Sequence, residues 1–417
     1  MTDQSDHDVI VIGAGVIGVS IALALQAAGR DVLLVDRSAP GNGASFANAG
    51  AFAFSDIVPL ATPGIIRAAP RWLADPLGPL SVDPSYVFAI APWLLRFWRA
   101  SWKDRFPRLM EAQAALMELS RAALERQVAD TSGEHLLQRE GQLRVYQGAR
   151  RFERSRSYWD ACRQYGIRFD LLESPAEIAE LQPGLSSEFT HAGYTPDWIN
   201  TRDPMLWLEH LLSVFRARGG VVDRLDARAL QAGDERITLH GAEATLSAGH
   251  VIVAAGAWSR TLAMSLGDRI PLETERGYNT TIRQAGFDLR THITFADHGF
   301  VASRIQDGVR VGGAVELAGL VRPPNFKRAK ILRDKASAFM PGLDASRGRE
   351  WMGFRPSLPD SLPVIGHAQR TDRVVYAFGH GHLGLTQAAG TAELVQALIC
   401  GVTPPLDAAP FSARRFT

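Results

Sequence analysis

Four β-branched apolar residues in a row, Val9-Ile10-Val11-Ile12, break a polar N-terminal stretch. A run of this kind reads as a strand buried on both faces, as in a parallel sheet. A glycine-spaced turn follows, and apolar positions from Val19 up to Gly29 predict a helix closed by that glycine. Val32-Leu33-Leu34-Val35 repeats the buried-strand pattern and ends at Asp36. Gly219-Gly220-Val221-Val222, Val251-Ile252-Val253 and Val374-Val375-Tyr376-Ala377-Phe378 predict further strands, the last leading into a helix from about Thr386 to Leu398. Elsewhere the pattern changes. Leu109, Ala112, Leu116, Leu119 and Ala123 recur at steps of three and four, which predicts a helix over 104–130 with one apolar face. Gln142–Tyr146 and Val309–Gly313 read as strands, and alternation over Ala296–Arg304 puts His298, Phe300, Ala302 and Arg304 on one face of another.

Composition narrows the class. The chain has 417 residues, so two domains are expected. With 46% hydrophobic and 21% charged residues it is an ordinary globular protein. A net charge of +1 sets up no field for nucleic acid. Its two cysteines, Cys162 and Cys400, are too few and too far apart for a disulfide framework or a cysteine metal site. The polar start lacks the form of a signal peptide, and no apolar run reaches the roughly 18 residues of a membrane span. The expected location is cytoplasmic, with peripheral contact to the inner membrane left open.

The first turn carries chemistry. In Gly13-Ala14-Gly15-Val16-Ile17-Gly18 the first glycine permits a tight turn and the second lets backbone approach a pyrophosphate. The third lets helix and strand pack closely, while the helix N-terminus turns free N–H groups and a positive dipole end toward phosphate. Asp36 stands about twenty residues on, where a carboxylate accepts hydrogen bonds from ribose hydroxyls. Strand, glycine turn, helix, strand and acid together predict dinucleotide binding. The following stretch, Pro40–Gly50, is small and polar; it suits a loop lying along an extended FAD better than the early crossover helix of an NAD site. A mobile surface loop is the plainer alternative.

The chain resembles the D-amino-acid oxidase superfamily of FAD-dependent oxidoreductases, and within it the bacterial D-amino-acid dehydrogenase (small-subunit) type. The resemblance is carried by the N-terminal fingerprint, by Ser45-Phe46-Ala47-Asn48-Ala49-Gly50, by Gly353-Phe354-Arg355-Pro356…Asp360…Pro363-Val364-Ile365-Gly366, and by Gly379-His380-Gly381-His382-Leu383-Gly384. It implies an α/β fold: a discontinuous Rossmann-like FAD-binding domain (1–60, 195–265 and 346–417), plus an α+β substrate-binding domain with a mostly antiparallel sheet (61–194 and 266–345). It implies cofactor contacts from Gly13, Gly15, Val16, Ile17, Gly18, Asp36, Arg37, Gly43, Ala44, Ser45, Asn48, Ala49 and Gly50. Further contacts are expected near Arg228 or Ala229, and from Ala255, Gly256, Trp258, Gly379, His380, Gly381, Leu383, Gly384, Leu385 and Thr386. Sarcosine-oxidase relatives attach flavin through a cysteine in the turn before the last helix; this turn has none, so non-covalent FAD is expected.

Four residues are candidates for the reaction itself. Arg355 offers a planar fork matched to a carboxylate, the role its motif has in amino-acid-oxidising relatives; pairing with a structural acid such as Asp360 is the alternative. Tyr278 can wall a pocket and bond a carboxylate or amine, or simply pack across strands. His298 would touch substrate if its strand face meets the flavin, and face water otherwise. His382 is a candidate pocket wall and His380 a turn residue beside the flavin; with no third or fourth ligand nearby, no metal site is expected. Trp72, Trp93, Phe97, Trp98 and Trp102, interleaved with Arg67, Arg71, Arg96, Arg99, Lys103 and Arg105, read as a packing helix or as an interfacial anchor. The expected reaction is oxidative deamination of a small amino acid (a D-amino acid, or one like D-proline or hydroxyproline) by hydride transfer from Cα to flavin N5. The imine then opens to a 2-keto acid, and a quinone or O2 takes the electrons. The rival readings are an O2-using amine, sarcosine or glycine-type oxidase, and a flavin-holding electron-transfer subunit without catalysis.

Overall fold

A computed structural model of the chain describes residues 6–65, 80–306 and 308–417. Trp72, Arg67 and Arg71 lie outside the described residues.

The first apolar run forms the strand Asp6–Ile12, paired in parallel with Val32–Asp36 on one side and Thr245–Val253 on the other. Val221–Arg224 and Val374–Phe378 extend this parallel sheet at its two ends. Both faces are covered, which is why these strands read as unbroken apolar runs. Val9, Val11, Leu34 and Ile252 pack under the helices Val16–Ala27 and Gly384–Cys400; Ile10, Leu33, Val35 and Val251 face the opposite core with Leu230, Leu239 and Leu262. The strands end together at Gly13, Asp36, Ala254 and Gly379, and a cavity of about 1580 Å³ opens at that edge.

A second sheet roofs the cavity. Among the described residues its strands run in the order Gly348–Ser357, Glu273–Arg283, Gly308–Leu317, Phe300–Ile305, His292–Phe295, Gln142–Tyr146, His191–Thr195 and Asp170–Leu172. The pairing is antiparallel except where His292–Phe295 meets Gln142–Tyr146 and where Leu80–Val82 joins Gly308–Leu317. Alternation sorts the two faces. Leu143, Val145, Ile293, Phe295, Ala302, Val309 and Val311 pack beneath the helix Lys327–Phe339. On the other face a row of register partners (Arg144, Thr294, Val301, Gly312, Asn279, Trp351) lines the cavity.

Three details depart from the sequence reading. The strand Gly348–Ser357, expected in the cofactor-side segment 346–417, pairs with Glu273–Arg283 in the roof sheet. The helix Phe106–Thr131, expected on the substrate side, buries Ala112, Leu116, Ala123 and Leu124 in the core of the parallel sheet. Both partnerships are long-range, and periodicity fixes only which face is apolar, not what covers it. The strand expected over Ala296–Arg304 starts at Phe300, because Ala296–His298 forms a 3-10 turn closed by Gly299 at φ 64°.

Candidate functional site

The glycine turn behaves as its spacing demands. Gly13 has φ 109°, and a Cβ there would lie 2.4 Å from the Ala254 carbonyl oxygen. A Cβ on Gly18 would lie 1.8 Å from the Gly13 oxygen, so Gly18 serves helix–strand packing and does not line the cavity. Gly15, Val16 and Ile17 do line it, at the N-terminus of Val16–Ala27. Ser45 Oγ accepts the Val16 N–H at 3.0 Å, and Asp36 accepts the N–H groups of Ala14 (2.8 Å) and Ser38 (2.9 Å). Ser38 Oγ also donates to Oδ1 at 3.1 Å, so it is Oδ2 that keeps acceptor capacity for a hydroxyl. Arg37 lies 3.6 Å over the Trp258 ring, and both reach the cavity with Ala255 and Gly256.

The loop after Asp36 is a wall, not a free surface segment. Gly43, Ala44, Ser45, Asn48 and Ala49 line the cavity. The roof sheet holds this loop: Asn279 Nδ2 donates to the Ala47 carbonyl at 2.5 Å and Arg310 Nη1 to the Asn48 carbonyl at 2.7 Å. Gly50 (φ 70°) and Thr386 stand behind the wall; Thr386 Oγ1 accepts the Ala53 N–H at 2.9 Å and ties the loop to the last helix. Ala227 and Arg228, not Ala229, reach the cavity, since the pairing register shifts between Ala227 and Ala229.

The final turn closes the other end. Gly379 (φ 90°), His380, Gly381 (φ 54°), Leu383, Gly384 and Leu385 line the cavity ahead of the helix Gly384–Cys400. The Gly381 N–H donates to the Pro356 carbonyl at 2.7 Å, which joins this turn to the end of the Arg355 strand. His380 is buried against Thr391 (3.0 Å), and burial pushes it down to about 3, so it is neutral.

Arg355 reaches across its neighbouring strand. Its guanidinium lies on Gly277, where a Cβ would come within 2.3 Å of Cζ, and Nη1 donates to the Ala314 carbonyl at 2.9 Å. Asp360 is engaged elsewhere, with Arg415 at 2.7 Å; the acid beside Arg355 is Glu275. Glu275 is the register partner of Arg355 and is buried, with Oε2 2.7 Å from His382 Nε2. Burial pushes the Glu275 carboxyl up, but His382, Arg355 and Ser357 together hold it below its ordinary value. Arg355, Glu275 and His382 all line the cavity. Sequence reading missed Glu275; its signal was an acidic residue on the same strand face as Gly277.

Two candidates stand differently from expectation. Tyr278 lines the cavity, but its hydroxyl is spent inside the protein, donating to Glu316 (2.5 Å) and accepting from the Asn325 N–H (2.9 Å). Burial, with Glu316, pushes it up to about 12. His298 is not in the wall; it bonds Gln147 Oε1 at 3.0 Å and packs 4.7 Å from Phe339, behind the shortened strand. A further polar group was unread. Arg144 lies 4.3 Å over the Tyr158 ring and 3.3 Å from Asp56, and all three reach the cavity. Beside them His292 is pushed down to about 3 by burial and by Arg144. In the aromatic segment, Trp93 and Ile90 of the helix Val87–Ala100 pack on Leu317, while Phe88 and Leu95 stay exposed. Among the described residues no helix is long and apolar enough to cross a membrane.

Two glycine-rich turns, two helix N-termini and the Asp36 carboxylate ring this cavity. It exceeds the roughly 300–1,000 Å³ of a typical small-ligand site, so an extended dinucleotide and a second molecule both fit. Comparisons with known proteins agree. A family model described as "FAD dependent oxidoreductase" matches residues 8–398. A D-amino-acid oxidase of Bradyrhizobium diazoefficiens is 35% identical over 98% of this chain and 98% of that protein. A D-amino acid dehydrogenase of Rhizobium johnstonii is 31% identical over 98% of this chain and 99% of its own. Among solved structures, glycine oxidase from Geobacillus kaustophilus superposes with TM-score 0.77 at 19% identity, covering 98% of this chain and 99% of that one. L-proline dehydrogenase from P. horikoshii superposes with TM-score 0.75 at 17% identity, covering 99% and 98%.

Proposed function

This chain belongs to the FAD dependent oxidoreductase family, and on that premise we propose that it oxidises a small amino acid, a D-amino acid or a D-proline-like imino acid, to its imine. Water then opens the imine to a 2-keto acid. Arg355 carries this reading: a guanidinium fork at the cavity wall, held by the Ala314 carbonyl, with Asp360 paired to Arg415 and Glu275 shared with His382.

Gly13, Gly15–Ile17, Asp36, the 43–49 loop, Ala255–Trp258 and the final turn would hold FAD along the cavity they line. Bound there, it supplies a two-electron acceptor for the hydride leaving the substrate Cα. Both helix N-termini turn amide N–H groups and a positive dipole end toward anionic parts of a ligand. Neither cysteine lies in the wall, since Cys162 is buried with Trp159 and Cys400 ends the last helix; this supports non-covalent attachment.

The protein's own part is orientation and charge. Arg355 takes the substrate carboxylate as a bidentate pair, which fixes two atoms and so aims Cα. Gly277 leaves the space in which the guanidinium lies flat, and the Ala314 carbonyl stops it rotating. Trp351, opposite Asn279 in register, adds apolar wall on this side.

The test is an anaerobic screen of the purified holoenzyme against D- and L-amino acids, prolines and N-methyl amino acids. Loss of the visible flavin band with a subset of these is expected. Total inertness would favour a non-catalytic flavin subunit. Stopped-flow reoxidation by O2 against a quinone analogue then identifies the electron acceptor.

A further inference from the structure

The carboxylate clamp uses Arg355 but has no use for a buried acid beside it, nor for the imidazole that acid holds. Glu275 and His382 are 107 residues apart, yet Oε2 and Nε2 stand at 2.7 Å. The Glu275 side chain is 6% exposed, while His382 is 33% exposed and lines the cavity. An ionised carboxylate has no proton to give, so the imidazole must donate Nε2–H to Glu275. In the neutral form of the ring, Nδ1 is then the acceptor, on an imidazole held in place from behind.

The reaction has a matching need. Amino acids bind as ammonium carboxylates, and the nitrogen lone pair must be free before it can form the C=N bond. We propose that His382 and Glu275 form a proton-accepting couple for the substrate amine. His382 Nδ1 takes a proton from the ammonium group, and Glu275 positions the ring and balances its charge. One N–H bond breaks on the substrate and one forms on the imidazole. No electrons change hands in this step; two leave later with the Cα hydride.

Charge supports the couple. Arg355, Glu275, neutral His382, the substrate carboxylate and the ammonium sum to zero, and the set still does once the proton sits on His382 beside the Glu275 carboxylate. The proton therefore moves without creating net charge in a cavity of low dielectric. The charged and titratable groups facing the pair are few. Arg355 comes from the strand paired with Glu275, and His380, across Gly381, is neutral and bonded to Thr391. Arg276, next along the strand, is fully buried and bonds the Gly319 carbonyl instead. Glu275 is thus a positioning residue and His382 the group that meets substrate.

This inference rests on the amino-acid reading above. Reduction of the holoenzyme by an amino acid is followed anaerobically across pH, alongside the affinity for a carboxylate that lacks an amine. His382→Gln is expected to lower the limiting reduction rate about 100-fold or more and to leave the affinity for the amine-free carboxylate within about two-fold. Glu275→Gln is expected to move the low-pH limb of the reduction rate down by about one pH unit or more, since the imidazole loses its anionic partner. Glu275→Asp should recover part of that shift. A role confined to folding would leave the limb in place and weaken the amine-free carboxylate instead. A second readout needs no turnover: ¹⁵N NMR of the apoprotein should show His382 protonated on Nε2 in the wild type, and less uniquely so in Glu275→Gln. An Nδ1–H tautomer in the wild type, or an unmoved limb in Glu275→Gln, overturns the couple alone. Inertness to every amino acid overturns the amino-acid reading and the couple with it.

Discussion

Replacing Arg355 by leucine removes the fork that the proposed reaction depends on. A hydrogen bond to a charged group contributes about 1.5–3 kcal/mol, and a bidentate carboxylate makes two, so about 3–6 kcal/mol of substrate binding is at stake. At about 1.36 kcal/mol per decade, kcat/KM should fall by roughly 10² to 10⁴. The same change strips Glu275 of the Arg355 charge that helps keep its carboxyl below the ordinary range, leaving the contacts with His382 and Ser357 to do so. Arg355→Lys keeps that charge but loses the planar fork, so it should recover the part owed to one hydrogen bond, about 10- to 100-fold. Steady-state kinetics on a reactive amino acid, with the flavin absorbance of each variant recorded first, decide the matter. Near-native kcat/KM in Arg355→Leu with normal flavin content would refute the clamp. Loss of flavin from both variants would show that Arg355 supports the fold or the cofactor rather than the substrate.

Gly277→Ala should act on the same clamp from below: its Cβ would come within 2.3 Å of the Arg355 guanidinium, so KM should rise at least about ten-fold while FAD stays bound. An unchanged KM would mean that the guanidinium has another place to rest. Tyr278→Phe leaves the buried Glu316 and the Asn325 N–H without the hydroxyl they share, so stability should drop by about 1–3 kcal/mol, read from urea denaturation, with kcat/KM little altered. A large catalytic loss with unchanged stability would return the hydroxyl to the substrate. His292 and His380 are both pushed down to about 3 by burial, so below the ordinary value of about 6.5 the unfolded chain binds protons that the folded one refuses. Stability should therefore be intact above that value and fall on acidification, by about 1.4 kcal/mol per pH unit for each histidine, or about 5 kcal/mol from both between pH 6.5 and 4.5. Urea midpoints that stay flat over that range would contradict the buried neutral state.

What the chain discloses by itself is what lies close along it. Val9–Ile12, the three glycines and Val32–Asp36 form one local unit, and its geometry follows the spacing down to Gly18 packing on Gly13. Arg355 was readable because a short motif carries it. Glu275 was not, because its meaning depends on a register that sets it opposite Arg355 and on a turn that brings His382 across from more than a hundred residues away. The Arg144, Asp56 and Tyr158 group was hidden for the same reason, since each comes from a different element. His298 misled because Gly299, in left-handed conformation, ends a 3-10 turn where alternation suggested a continuous strand. Tyr278 offered a hydroxyl in the sequence, but only the structure shows that Glu316 occupies it.

A crystal structure of the FAD-loaded protein with a substrate-like carboxylate tests the central claim most directly. The account predicts the carboxylate forked on the Arg355 guanidinium above Gly277, with His382 facing its amine side and FAD running from the first glycine turn to the last. A carboxylate bound elsewhere in the cavity, or a guanidinium turned away from it, would contradict the account.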